Sequence, residues 1–269
     1  MSDLAFNPIT PQFGAELDDI TLLDLDATGI RALQQLAAER GVVVARNQVM
    51  TMQEQVDFGK RLGTLLTTPI NEGRIPEELL VINANEKSKK VPGQGWHSDA
   101  SSEAIPPGLS MLRMELVPDV GGDTLFADMY QAFEALSEEM QIFLKGLNAR
   151  HDPKGHYLYL SGVKKLHELP SAVHPVVRTH PLTGRQSLYV NSGFVGKIVE
   201  LNDSESRALL NMLYDHIAYN VSAQCRVSWQ PDTVTFWDNR CVQHHAAFDY
   251  FPARRRGYRV TVVGEAPTL

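Results

Sequence analysis

From residue 78 onward the chain is dominated by short runs of apolar, β-branched and aromatic residues. They read ELLVINA (78–84), LSMLRMEL (109–116), SLYVNS (187–192), TVTFWD (233–238) and YRVTVVG (258–264). Turn-forming pieces such as IPPG, DVGGD and HPLTGR lie among them. Runs of this length read as strands, and strands must pair and bury a face to persist. Their irregular connections lack the regular strand–helix alternation of a parallel α/β sheet, so the pattern predicts an antiparallel β core.

Helical periodicity is confined to a few segments. Residues 28–40 (TGIRALQQLAAER) set Ile30, Leu33, Leu36 and Ala37 at amphipathic spacing, with Gly41 as a stop and VVVA (42–45) as a buried strand. TMQEQVDFGKRLG (51–63) predicts a second helix with Thr51 as N-cap, Glu54 in the capping-box position and Gly63 beyond its end. Two more helices are predicted over 130–147 and 204–220. The fold expected is mainly β with flanking helices, and a double-stranded β-helix (a cupin-like jelly roll) fits it best. Without repeats, low-complexity tracts or a Gly/Ser linker, 1–269 reads as a single domain.

Composition narrows the partners. The 269 residues are 43% hydrophobic and 21% charged, as in an ordinary soluble globular protein. A formal net charge of -7 argues against a general nucleic-acid binder. No apolar stretch approaches the roughly 20 residues that span a bilayer, and MSDLAFNPIT does not resemble a secretory signal. Two cysteines, Cys225 and Cys241, form neither a disulfide framework nor a zinc pattern. A cytoplasmic location is expected.

Two stretches carry candidate chemistry. In GQGWHSDASS (93–102), His97 and Asp99 project to the same side of an extended chain. Such a pair arises often by chance, so a metal site needs a third ligand. The segment from Trp237 to Glu265 holds His244 and His245, which point to opposite faces of a strand, so one of them is the candidate. Two imidazoles and a carboxylate suit a non-haem Fe(II) with open positions, and zinc with a bound water suits them too.

The arginines of this segment sort by the same rule. On a strand beginning near 255, Arg255, Gly257, Arg259 and Thr261 share one face, and Arg254, Arg256, Tyr258 and Val260 the other. Two guanidiniums on one face, about 13 Å apart at roughly 3.3 Å per residue, call for anionic groups between them. Arginine binds a carboxylate or sulfonate through two parallel hydrogen bonds. Gly257 removes a side chain where a ligand would need room, while Arg254 and Arg256 read as a solvated run.

Nearly the whole chain resembles the taurine dioxygenase / 2,4-D dioxygenase family of Fe(II)- and 2-oxoglutarate-dependent oxygenases. The segments that carry the resemblance are FGAELDDITL, GVVVARNQVMTMQEQVDFGKRLG, GWHSD, GGDTLFADMYQAFEALS, HPVVRTHPLTGRQSLYVNSGF and WDNR through GE. It implies His97, Asp99 and His244 as iron ligands, His244 standing four residues beyond the arginine of WDNR. It implies Thr124 and Arg255 at the far carboxylate of 2-oxoglutarate, and Arg259 at the anionic group of the prime substrate. The reaction implied consumes 2-oxoglutarate and O2, releases succinate and CO2, and hydroxylates a small anionic organic molecule. With a heteroatom leaving group on the hydroxylated carbon, C–S or C–O cleavage follows. Asp99 distinguishes the chain from the halogenase variant, which has a small residue there. Relatives are commonly dimers or larger, so a homo-oligomer (dimer or tetramer) is expected.

The chain departs from taurine-specific relatives in two places. LLTTPINEGR (65–74) lacks their histidine, and Gly93-Gln94-Gly95 lacks their asparagine. Another sulfonate, or a carboxylate such as an aryloxyalkanoate or amino acid, is as good an expectation as taurine. Phe194 and Tyr157 read as pocket or core aromatics; His151, His156, His167, His174 and His180 read as structural. The rival readings are a non-catalytic metal-binding jelly roll and a zinc hydrolase.

Overall fold

The computed structural model describes residues 4–67, 75–91, 93–154 and 163–269. In chain order, β1 (Phe6–Pro8) and β2 (Ala15–Leu17) lead to α1 (Ala27–Arg40), β3 (Val42–Ala45) and α2 (Met52–Leu62). The strands β4 (Leu80–Ala84), β5 (Pro107–Leu116) and β6 (Thr124–Asp128) precede α3 (Met129–Glu134) and α4 (Glu138–Lys145). Next come β7 (Asn148–His151), β8 (Ala172–Pro175), β9 (Val177–Thr179), β10 (Gln186–Leu188) and β11 (Val195–Ile198). The chain closes with α5 (Asp203–Tyr219), β12 (Gln224–Val227), β13 (Val234–Asp238), β14 (Val242–Ala246) and β15 (Arg255–Val263).

The expected capping chemistry is present. Thr51 and Glu54 form a reciprocal capping box at the start of α2. Gly41 ends α1 with its N–H on Ala37 O, as the sequence suggested. The helix expected over 130–147 is instead two helices. Ser137 Oγ accepts from Met140 N and starts α4 anew, a serine cap competing with continuation of the first helix. The strand expected over 187–192 is shorter, ending at Leu188, because Val190 O is taken by the side chain of Gln243.

A seven-stranded sheet runs β1-β2-β3-β13-β5-β15-β4, antiparallel except for β2 with β3. Period-two alternation gives its two faces different partners. Val43, Met111, Phe236, Val260 and Val262 pack against Ile30 and Leu33 of α1 and Val56 and Phe58 of α2. The intervening residues Val44, Leu112, Met114 and Trp237 face the other way. They pack on Phe126, Cys225 and Val242 of a three-stranded sheet ordered β12-β6-β14. The result is two apposed sheets with helices covering the outer face of the larger one, the jelly-roll arrangement expected. A third cluster joins α3 and α5 to Leu188, Val195 and Ile198.

Candidate metal and anion site

The interior between the sheets is where the polar residues collect. His97 makes a two-residue antiparallel bridge with His244: His97 N donates to His244 O at 3.2 Å and His244 N to His97 O at 2.9 Å. This backbone exchange brings two histidines, 147 positions apart in the chain, to a ring-centroid separation of 4.1 Å. Asp99 follows two residues after His97, and its Oδ1 lies 3.9 Å from His244 Nε2. One ligand atom from each of the three lies within 4.8 Å of the others. His245 turns away and packs edge-on against Trp96, so His244 is the histidine that joins the pair.

His97 and Asp99 are each oriented by a neighbour. The ring Nδ1 of His97 is 2.9 Å from Gly95 O, which as an acceptor fixes the proton there and leaves Nε2 with a free lone pair. Asp99 Oδ2 accepts from Ser110 Oγ at 2.9 Å, and Asp99 N donates to Asn239 Oδ1 at 3.2 Å. Asn239 in turn donates to Ser110 Oγ and Gly108 O and accepts from Trp237 Nε1. Gly193 lies hard against His97: a Cβ there would sit 2.7 Å from His97 Cβ. Ser110, Asn239 and Gly193 were not singled out in the sequence, although Asn239 lies inside WDNR and Gly193 inside the segment ending NSGF.

The electrostatics suit a cation. Burial acts to raise the Asp99 carboxyl, but Arg259, His244, His97 and the Ser110 hydrogen bond outweigh it and hold it below the usual carboxylate range. Burial pushes both His97 and His244 down, so both rings are neutral near pH 7, the form that ligates metals. Two neutral imidazoles and one ionised carboxylate therefore fit a divalent transition metal with positions left over for other ligands.

The two arginines occupy the same interior as the triad. Tyr258, Val260 and Val262 of β15 belong to the helix-side core, which leaves Arg255, Gly257, Arg259 and Thr261 for the inner face. Arg255 is 5% exposed, and its Nε has no hydrogen-bond partner among the described residues. Its guanidinium carbon sits 5.7 Å from the Trp229 ring centroid, and Trp229 Nε1 donates to Thr124 Oγ1 at 3.0 Å. Thr124 and Arg255 are thus parts of one cluster with Trp229. Arg259 Nη1 donates to Asp99 Oδ1 at 2.8 Å, while its Nε is buried without a partner among the described residues.

Gly257 corrects one expectation. A Cβ there would stand 2.6 Å from Arg113 O and 2.6 Å from Met114 Sδ, at a shift in the β15–β5 register. Its missing side chain admits the neighbouring strand rather than a ligand. At Gly93 a Cβ would instead lie at ordinary van der Waals distance, 3.5 Å from both Ala246 Cβ and His97 Cε1.

The remaining expectations sort as follows. Arg256 pairs with Glu115 at 2.6 Å on the outer face. Phe194 is buried at 2% exposure. His167 is exposed, while His151, His174 and His180 are buried against Ser101 Oγ, Glu103 O and Asp238 Oδ2 respectively. His180, Asp238 and Cys241 form a second cluster of potential ligands. Arg240 already neutralises that carboxylate, donating from Nε at 2.7 Å and Nη2 at 2.6 Å, so it is a salt bridge rather than a cation site. Tyr157, His156 and residues 68–74 lie outside the described residues.

A jelly roll with a His-x-Asp…His cluster between its sheets, flanked by the buried Arg255 and the partly buried Arg259, is the frame of a mononuclear metal enzyme acting on anions. The chain belongs to the TauD/TfdA family: residues 5–261 match the family model described as taurine catabolism dioxygenase TauD, TfdA family. It is 35% identical to the alpha-ketoglutarate-dependent sulfonate dioxygenase of Saccharomyces cerevisiae, over 99% of this chain and 68% of that protein. It is 31% identical to the alpha-ketoglutarate-dependent 2,4-dichlorophenoxyacetate dioxygenase of Cupriavidus pinatubonensis, over 97% of this chain and 98% of that protein. A crystal structure of a taurine dioxygenase from Burkholderia xenovorans superposes with a TM-score of 0.86 at 30% identity, covering 99% of this chain and 91% of that one.

Proposed function

We propose that His97, Asp99 and His244 hold the Fe(II) of this enzyme, that Thr124 and Arg255 hold the far carboxylate of 2-oxoglutarate, and that Arg259 holds the anionic group of the prime substrate. The enzyme is an Fe(II)- and 2-oxoglutarate-dependent dioxygenase that hydroxylates a small anionic organic molecule. The observation that carries the residue assignment is the meeting of the three ligand atoms within 4.8 Å of one another. Arg255 supports it, because no carboxylate pairs with this buried guanidinium among the described residues.

Bound Fe(II) with 2-oxoglutarate and O2 supplies the oxidising power for hydroxylation of a C–H bond, and 2-oxoglutarate leaves as succinate and CO2. The protein contributes placement. Arg255 and Thr124 fix one end of the co-substrate by charge-assisted hydrogen bonds. Arg259 holds Asp99 Oδ1 through Nη1 and has a buried Nε without a partner among the described residues, so its guanidinium would offer N–H donors to the substrate anion once Asp99 held the metal. Holding that anion aims one C–H of the substrate at the metal.

We read the substrate as an alkylsulfonate, taurine or a relative of it, or a carboxylate such as an aryloxyalkanoate, with Gly93 placing no side chain beside His97. Where the hydroxylated carbon carries sulfonate or aryloxide, that group departs and a carbonyl remains. A single catalytic domain over 1–269 is supported by one sheet that interleaves strands from Phe6 to Val263. A reducing, cytoplasmic setting is supported by two buried free cysteines, and a homo-oligomer is part of the same reading. No helix among the described residues is long and apolar enough to cross a membrane.

The test is O2 uptake and succinate release with Fe(II) and 2-oxoglutarate across alkylsulfonates, aryloxyalkanoates and amino acids. Substrate-dependent turnover is expected with at least one class. Absence of turnover with all of them sinks the reading, and anaerobic hydrolysis without 2-oxoglutarate turns it into a zinc hydrolase.

A further inference from the structure

We propose that Trp229 is a positioning residue for the 2-oxoglutarate subsite, holding Thr124 and Arg255 ready for the far carboxylate through the two different chemistries of one indole. The inference rests on the assignment of Thr124 and Arg255 made above. Trp229 follows β12 and is 8% exposed. Its Nε1 donates to Thr124 Oγ1 at 3.0 Å, and its ring faces the Arg255 guanidinium carbon 5.7 Å from the centroid.

The indole N–H is a donor only, whereas a threonine hydroxyl both donates and accepts. With Oγ1 accepting from Trp229, the hydroxyl proton has to point elsewhere, and no protein acceptor takes it among the described residues. An anion beside Thr124 therefore meets a hydroxyl already turned to donate. The π face attracts the guanidinium and, as an apolar plate, leaves its N–H edge for hydrogen bonding. The unpartnered Nε of Arg255 is part of that edge. Burial disfavours the charge on Arg255, and the nearby Tyr250 and Asp123 offset this in part. A buried cation with an open edge is costly alone and is satisfied by a carboxylate.

The test uses the full chain loaded with Mn(II), and reads binding of 2-oxoglutarate and of 2-oxopentanoate by calorimetry. The second compound has a methyl group where 2-oxoglutarate has its far carboxylate. Trp229→Phe keeps a ring and removes the N–H, so 2-oxoglutarate should bind roughly fivefold more weakly, the worth of about one hydrogen bond. Binding of 2-oxopentanoate should not change. In the Fe(II) enzyme the same variant should raise KM for 2-oxoglutarate and leave kcat within about twofold, as a binding contribution does. In a Thr124→Val background, Trp229→Phe should have a smaller effect than alone, since the shared hydrogen bond is already gone.

Equal weakening of both compounds, or unchanged 2-oxoglutarate affinity, overturns the positioning role. If Trp229→Phe does not fold, Trp229→Tyr replaces it, with the same selective loss expected and the same two outcomes overturning the role. Arg255→Gln tests the underlying assignment separately. If it leaves 2-oxoglutarate affinity intact, the subsite itself is misplaced; if it abolishes binding while Trp229→Phe does nothing, only the role of Trp229 falls.

Discussion

Arg259 Nη1 donates to Asp99 Oδ1 at 2.8 Å, so the cation assigned to the substrate anion and the carboxylate assigned to the metal share one hydrogen bond. The two halves of the site are therefore coupled. Removing either residue leaves its partner buried and unbalanced, and the two variants should fail in different ways. Asp99→Ala should lower Mn(II) or Fe(II) affinity by more than about a hundredfold, beyond the 10–100-fold typical of losing an outer partner. Arg259→Ala should raise KM for the prime substrate while 2-oxoglutarate affinity stays within about threefold. Calorimetry with Mn(II) and steady-state kinetics check both, and the reverse pattern for Arg259 would exchange its role with that of Arg255.

Gly193→Ala should weaken metal binding although it replaces none of the proposed ligands. The added Cβ would meet His97 Cβ at 2.7 Å, and the loop cannot easily yield because Asn191 Oδ1, only 3.2 Å from the same point, accepts from Phe194 N at 2.9 Å. Overpacking of this kind costs about 1–3 kcal/mol. A melting curve read beside metal titration should show the affinity loss even where the fold survives.

Gly93→Asn should narrow the substrate range. Gly93 has φ +87°, a region asparagine tolerates better than most side chains, and a Cβ there would stand 3.5 Å from both Ala246 Cβ and His97 Cε1, so the added side chain would occupy the space beside the His97 ring edge. Occupying that space should lower kcat/KM for a bulky aryloxyalkanoate by about tenfold or more, and less for a two-carbon sulfonate. Comparing the two substrates on the same preparation checks it, and equal losses would place the substrate elsewhere.

Asp238→Asn should destabilise the fold, since Asp238 is fully buried and accepts from Arg240 and from His180 Nε2. Breaking such a buried pair costs about 3–5 kcal/mol. Burial acts to raise this carboxyl, but Arg240 and the hydrogen bonds from His180 and Arg240 hold it below the usual range. A carboxyl depressed in the folded state stabilises fully above its unfolded pKa of about 3.9 and loses that contribution as pH falls toward the folded value. Urea denaturation should therefore show a large gap between wild type and variant at pH 7 that shrinks below about pH 4.

The helices were legible because their signals are local: Thr51 with Glu54, and Gly41 after an amphipathic run, act within a few residues. The break at Ser137 was missed because the apolar pattern continues across it, and the serine cap that interrupts it gives no periodic signal. The face shared by Arg255 and Arg259 was legible too, since strand alternation is a property of the chain alone. Gly257 was misread because its role depends on the backbone of Arg113, which lies beside it only after β15 pairs with β5.

By itself the sequence determined the elements, the ligand types and, through resemblance, the family. It could not choose between His244 and His245 on strand geometry, nor show that Ser110, Asn239 and Gly193 frame the His97–Asp99–His244 cluster. Those relationships arise when β14 and the segment at His97 exchange backbone hydrogen bonds between the two sheets. Only the tertiary structure decided that Arg259 rests on Asp99 while Arg255 keeps an open edge. The physical reason is that hydrogen bonds and desolvation act through distances in space, and residues 97, 99, 244, 255 and 259 acquire those distances only once the sheets close around them.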